Sequence, residues 1–221
     1  MKSVTDTCEP RPDVMSGGLS DRDFAAQLDK VVTGDANYGT YTDADRFFEL
    51  TFPTSGLQEL IGATFGHLTG HGGSSILRAQ TSFGGGKTHS LIALYHLARG
   101  FRPTNLREFV DDPAVLPDGQ VRIAAVVGDA LDPTAGTTAS GRTTYTLWGE
   151  IAAQLGDASW EAVAEHDAAR TAPGTGAIRK MLDGGPAIIV LDELAQHLAH
   201  CTSAGDEAVR RQASQVAPFL K

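Results

Sequence analysis

Between Thr81 and Thr88 the chain reads T-S-F-G-G-G-K-T, and three glycines ahead of a Lys-Thr pair constrain the fold more than any other stretch. Successive glycines reach positive φ without steric cost, so the backbone can curl with its N–H groups turned inward. An apolar-periodic segment follows at once. Leu91, Ile92, Leu94, Tyr95 and Ala98 fall at helical spacing, and Gly100 and Pro103 are stop signals. A helix opening at Lys87 aims the positive end of its dipole at the loop, and loop and helix together form a cradle for an anion. Residues 74–80 (S-S-I-L-R-A-Q) are extended in character, which gives the order strand, loop, helix. The competing reading is a Gly-rich turn that binds nothing; a Lys-Thr pair at the end where a phosphate loop requires it argues against that.

The loop follows the Walker A pattern G-x-x-x-x-G-K-[ST] except that Thr81 stands at the first glycine. Ser82, Phe83, Gly84, Gly85, Gly86, Lys87, Thr88 and His89 are therefore the expected cofactor-binding residues for ATP. Lys87 supplies a point charge to the β and γ phosphates, and the Thr88 hydroxyl is a magnesium ligand. For His89, nucleotide sensing competes with a structural hydrogen bond in the first helical turn. About a hundred residues downstream, residues 187–191 (A-I-I-V-L) form an apolar run ending in Asp192 and Glu193. Such a run suits a parallel strand buried on both faces, with its carboxylates emerging at the crevice where open α/β sheets bind ligands. Asp192 is the expected Mg²⁺ residue, generally through the ion's water shell, and Glu193 the base that orients the attacking water, with Lys87 and Glu193 the catalytic pair. Alone, Asp-Glu after an apolar strand is often only a strand end meeting solvent; beside the upstream loop it reads as Walker B.

A further strand is expected over residues 121–127 (V-R-I-A-A-V-V), and helices over 145–155, 160–169 and 175–182. A strand between the two motifs, with a glutamate after the aspartate, belongs to the additional-strand, catalytic-glutamate division of P-loop ATPases. The expected fold class is α/β, a three-layer P-loop NTPase of AAA-like type with a mainly parallel sheet. Residues 1–70 are expected as a helical approach segment and residues 71–221 as the ATPase core. In the first part, Ser20 caps a helix through Phe24, Leu28 and Val31 that stops at Gly34, and Thr54 or Ser55 caps a second helix ending near Gly70. Phe47, Phe48 and Phe52 are read as core anchors, with a part in an adenine pocket as the alternative.

With 221 residues, 41% of them apolar, the chain can bury a substantial core. Its apolar runs fall short of the roughly 18 residues a membrane helix needs, and the first ten residues hold no apolar signal core. Cys8 and Cys201 are its two cysteines, so reduced thiols in the cytoplasm are expected. A net charge of −9 without a basic stripe argues against direct nucleic-acid binding. His197, His200 and Cys201 lie within one helical turn or so of one another and read as a solvated face rather than a metal site, as do His67 and His71. Asp129 and Asp132 end the inserted strand near the crevice. Arg142, Arg170, Arg210 and Arg211 are each candidates to act on a neighbouring subunit.

Taken together, S-D-R-D-F-A-A-Q-L-D-K-V-V, D-A-D-R-F-F-E-L-T-F-P-T-S-G-L, the phosphate loop with H-S-L-I-A-L-Y-H-L, T-L-W-G-E-I-A-A-Q-L-G and I-I-V-L-D-E-L-A resemble a known family. It is the amino-terminal ATPase region of a large bacterial and archaeal family of AAA-type ATPases, known mainly as a domain of unknown function. Its members are often encoded beside DNA methyltransferases in phage-defence islands similar to BREX. The resemblance runs from about residue 8 to residue 198, and a missing first glycine is normal within it. It implies an ATP hydrolase powering a phage-defence or DNA-modification complex, with protein partners and with a homo-oligomer among the arrangements open to it. It also implies a core incomplete at the C-terminus, because the strand after Walker B, which lies between the two motif strands, and the lid would follow residue 221. Weak binding and poor turnover by the isolated 221 residues are the expectation. The alternative is a nucleotide-gated interaction module without significant turnover.

Overall fold

The computed structural model describes residues 8–9, 12–17, 20–79, 85–139 and 141–220. A string of short helices comes first: α1 (Pro12–Met15), α2 (Leu28–Thr33), α3 (Gly39–Thr42) and α4 (Ala44–Leu50), followed by the longer α5 (Ser55–Leu68). Next come α6 (Lys87–Ala98), α7 (Leu106–Phe109) and β1 (Arg122–Val127), then a small hairpin of β2 (Thr137–Ala139) and β3 (Arg142–Thr144). The last part holds α8 (Leu147–Leu155), α9 (Asp157–Glu161), α10 (Ala164–Ala168), α11 (Thr175–Leu182), β4 (Ala187–Asp192), α12 (Leu194–Ser203) and α13 (Glu207–Phe219).

Capping explains several of these boundaries. Asp43, Thr54, Thr146 and Asp206 each accept a hydrogen bond from a backbone N–H in the first turn of the helix they open. The helix expected from Ser20 to Val32 is divided instead. Asp23 turns back to accept from the Ser20 amide at 2.7 Å and from the Thr40 hydroxyl at 2.6 Å, closing a 3₁₀ turn over Asp21–Phe24 before α2 begins at Leu28. The helix expected over 160–169 is likewise two pieces, α9 and α10, joined through Ala162 and Val163. Residues 74–79 form no strand, and Gln80 lies outside the described residues. The β2–β3 hairpin is antiparallel and was not foreseen, although A-S-G-R between threonine-rich runs is a two-residue turn signature.

β1 and β4 pair in parallel from Arg122 opposite Ala187 to Val127 opposite Asp192. Their alternate residues face two cores, as the period-2 geometry of a strand dictates. Ile123, Ala125, Ile188 and Val190 enter one cluster with Phe47, Phe48, Ile61 and Phe65 of α4 and α5 and Ile92 and Leu97 of α6. Ala124 and Val126 enter the other, with Leu147 and Ile151 of α8, Met181 of α11 and Val216 of α13. Helices thus cover both faces of the pair, and the helices before residue 70 share a core with α6 rather than enclosing their own. Phe47 and Phe48 are core anchors, whereas Phe52 is 79% exposed in the bend between α4 and α5. Among the described residues no helix is long and apolar enough to cross a membrane.

The two edges of the β pair differ. On the β1 side, Gln154 of α8 accepts the Ala125 amide at 2.8 Å through Oε1, so a side chain stands where a neighbouring strand would. On the β4 side, a groove of about 490 Å³ separates the strand from residues 74–79, with Leu60, Leu91 and Leu94 among its walls.

Candidate functional site

α6 opens at Lys87 because Gly86, at φ 74° and ψ 21°, takes the left-handed conformation that lets the loop turn into the helix axis. Its carbonyl then receives the Ser90 amide and the Ser90 hydroxyl, each at 2.9 Å, which fixes the first turn. Gly85 is exposed beside it, and Ser82, Phe83 and Gly84 lie outside the described residues.

The decisive contact spans 104 positions of sequence. Thr88 Oγ1 donates to Asp192 Oδ2 at 2.8 Å, joining the start of the glycine-loop helix to the end of β4. Asp192 is nearly buried, and its other oxygen accepts the Glu193 amide at 3.1 Å. Glu193 itself stands at φ 49° and ψ 31°, a left-handed conformation that costs a non-glycine residue about 1 kcal/mol or more. Close packing holds it there. A Cβ placed on Gly128, just past β1, would clash with the Glu193 carbonyl oxygen, so glycine is required where the two strand ends meet. The exposed Glu193 carboxylate accepts from Gln196 Nε2 at 3.3 Å.

These residues border a cavity of about 920 Å³ at the C-terminal ends of β1 and β4. Thr88, Asp129, Asp192 and Glu193 line it, as do Lys30 of α2 and Glu150 and Gln154 of α8. Lys87 faces the groove on the other side of β4, and Asp192 borders both spaces. The donors at the seam are hard oxygens, a hydroxyl and a carboxylate, of the kind Mg²⁺ selects. The 2.8 Å hydrogen bond between Thr88 and Asp192 brings these two oxygens to one point, where they would hold such an ion.

His89 turns to the N-terminal helices. Its Nε2 is 2.8 Å from Thr51 Oγ1, its ring lies 4.6 Å from that of Phe47, and burial lowers its pKa. This is a tertiary anchor, not the hydrogen bond within the first turn that the sequence suggested. The solvated face expected at His197, His200 and Cys201 needs a larger correction. His197 and Cys201 are buried and 3.6 Å apart, burial lowers the histidine pKa and raises that of the thiol, and His200 alone of the three is exposed. His67 and His71 are exposed.

Asp132 caps a turn through the amides of Thr134 and Ala135 and does not line the large cavity, whereas Asp129 does. The candidate subunit-reaching arginines are engaged within the chain. Arg142 pairs with Asp157, Arg170 with Asp206 at 3.2 Å and Arg211 with Glu207 at 3.8 Å, while Arg210 donates to the carbonyls of Ala204 and Gly205.

Sequence reasoning missed Lys30, Glu150 and Gln154. Glu150 carried one signal, a charge inside the apolar helix L-W-G-E-I-A-A-Q-L; it is buried, accepting from Thr144 Oγ1 at 2.6 Å and Gln154 Nε2 at 2.8 Å. Lys30 carried none, since a lysine on a short helix reads as solvated.

A family model described as the DUF499 N-terminal domain matches residues 8–221. The chain belongs to this family. No curated protein and no solved structure matches the chain. In this DUF499 N-terminal domain the start of α6 and the end of β4 meet at Thr88 and Asp192.

Proposed function

We propose that this DUF499 domain is an ATP-binding P-loop unit and a Mg²⁺-dependent ATP hydrolase of AAA type. The observation that carries the reading is the Thr88–Asp192 hydrogen bond, which unites the glycine loop with the acidic strand end. A mere Gly-rich turn and a mere strand end have no reason to meet. The reading also assigns the chain a three-layer P-loop fold. Its support is the parallel pair with helices on both faces, and the groove between β4 and residues 74–79, which lies where a central strand between the two motifs belongs.

In this proposal the amides of Gly85 and Gly86 and the Lys87 ammonium hold the phosphates, with Ser82, Phe83 and Gly84 completing the loop. Thr88 and Asp192 hold Mg²⁺, which when bound neutralises phosphate charge and fixes the orientation of the triphosphate. Glu193 positions and deprotonates the attacking water, and its left-handed backbone, clamped against Gly128, sets where the carboxylate begins. Burial of Asp192 keeps the metal-binding oxygens rigid. The machine so powered is a phage-defence or DNA-modification complex in the cytoplasm, with protein rather than nucleic-acid partners touching this acidic domain.

A nucleotide-gated interaction module is the second reading. One observation favours it: the Glu193 carboxylate is held by Gln196 on its own helix, not by the Thr88–Asp192 pair. Glu193→Gln in the protein at its full natural length separates the two. A hydrolase retains bound ATP and loses phosphate release by about 10²- to 10⁴-fold, whereas a gate behaves as the parent does. Lys87→Ala should abolish ATP binding under either reading; unchanged binding by that variant would overturn both.

A further inference from the structure

The cavity beside Thr88 and Asp192 is strongly acidic. Asp29, Asp129, Glu150, Asp192 and Glu193 line it, against one cation among the described lining residues, Lys30. A phosphate held beside Thr88 and Asp192 faces five carboxylates on this side, while Lys87 lines the groove on the other side of β4. Charge balance on the cavity side therefore falls to Lys30.

We infer that Lys30 is a phosphate-binding residue, donated by the N-terminal helical segment to the nucleotide site. The inference rests on the proposed ATP site and adds a second wall to it. α2 is fixed where the role requires. Leu28 and Val31 are buried in the core shared with α6 and β1, and Gly34, left-handed at φ 70°, ends the helix with its amide on the carbonyls of Lys30 and Val31. Lys30 thus lines, from a held backbone, the same cavity as Thr88. Its ammonium lies 2.9 Å from Asp29 Oδ2, and the half-exposed side chain keeps freedom to exchange that neighbour for an incoming anion. Exchanging the partly exposed Asp29 carboxylate for phosphate oxygens replaces one ion pair with another and costs little. The gain is a charge-assisted hydrogen bond in a partly enclosed site.

The experiment uses a fluorescent ATP analogue with Mg²⁺ and the protein at its full natural length. Lys30→Ala and Lys30→Gln should each weaken binding about tenfold, as loss of one hydrogen bond to a charged group does. Lys30→Arg should restore most of it. Displacement of the analogue by inorganic tripolyphosphate should weaken in parallel, while displacement by adenosine should not change. The glutamine variant retains much of the aliphatic stem and guards against a packing artefact, and circular dichroism melting checks that α2 stays folded. Binding within twofold of the parent in both neutral variants, alongside lost binding in Lys87→Ala, would overturn the role of Lys30 and leave the phosphate loop standing. Failure of the parent to bind the analogue would overturn the ATP site and this inference together.

Discussion

β1 and β4 are built from nearly the same material, R-I-A-A-V-V and A-I-I-V-L-D, yet they sit differently. The four inner residues of β1 are buried, whereas Ile189 in the middle of β4 is 38% exposed. The cause lies beyond each strand's far edge. Gln154 takes an amide of β1, and α2 and α8 close over that strand; β4 borders the groove toward residues 74–79. An apolar run of strand length thus says that a strand forms, not how many neighbours it has. The proposed site gathers at the less enclosed of the two: Asp192 and Glu193 end β4, and Lys87 faces its open side.

The largest expected effect tests that difference in enclosure. Ile188→Ala, at a site 8% exposed in the core shared with α6, should cost about 2–5 kcal/mol in urea unfolding. Ile189→Ala, one residue along, should cost less than about 1 kcal/mol. Equal losses would mean that the groove side of β4 is as covered as β1, and the contrast between the strands would fail.

Where the two strands come level again, at Gly128 and Glu193, the second test applies. Gly128→Ala forces a methyl against a backbone carbonyl rather than a flexible side chain, so the strand ends must part at a cost of about 1–3 kcal/mol. Glu193 should move with them while Lys87 stays. The expected signature is retained ATP binding with lost phosphate release, measured by titration and by a phosphate assay. Lost binding with intact folding would place Gly128 at the phosphates instead.

Much of this site was legible in the sequence because its parts are local. The left-handed turn at Gly86, the helix starting at Lys87 and the strand ending at Asp192 are each specified within a few residues, and the two motifs implied one another. What was illegible depends on tertiary approach. Asp23 breaks the first expected helix through Thr40, seventeen residues away, and Phe52 leaves the core because the bend after Thr51 turns it outward. His197 and Cys201 are buried beneath packing that a helical wheel of α12 alone cannot foresee, and residues 74–79 lack a strand because β4 does not reach them for pairing. Lys30 joins the cavity only through the packing of α2 on β1, which no local pattern records.

The smallest expected effect sharpens the contrast between the two faces of the β pair. His89 and His96 sit among the aromatics of the α4 face, where His96 Nε2 lies 2.8 Å from the Tyr41 carbonyl, and His197 sits in α12 on the other side. Burial lowers all three pKa values, and for His96 it outweighs the hydrogen bond to Tyr41, which acts the other way. Unfolded histidine titrates near 6.5, so below that pH the unfolded chain binds more protons than the folded one. Stability is therefore complete above about pH 6.5 and declines as pH falls toward the depressed folded values. Burial raises the pKa of Asp167, whose linkage has the opposite sign and acts from its raised folded value down toward the ordinary carboxylate range. Urea midpoints should fall between pH 7.5 and 5.5, and His89→Gln or His96→Gln should each flatten that slope. If His197→Gln alone flattens it, the proton-sensitive packing lies on the α12 side and not at the contact of His89 with Thr51 at the start of α6.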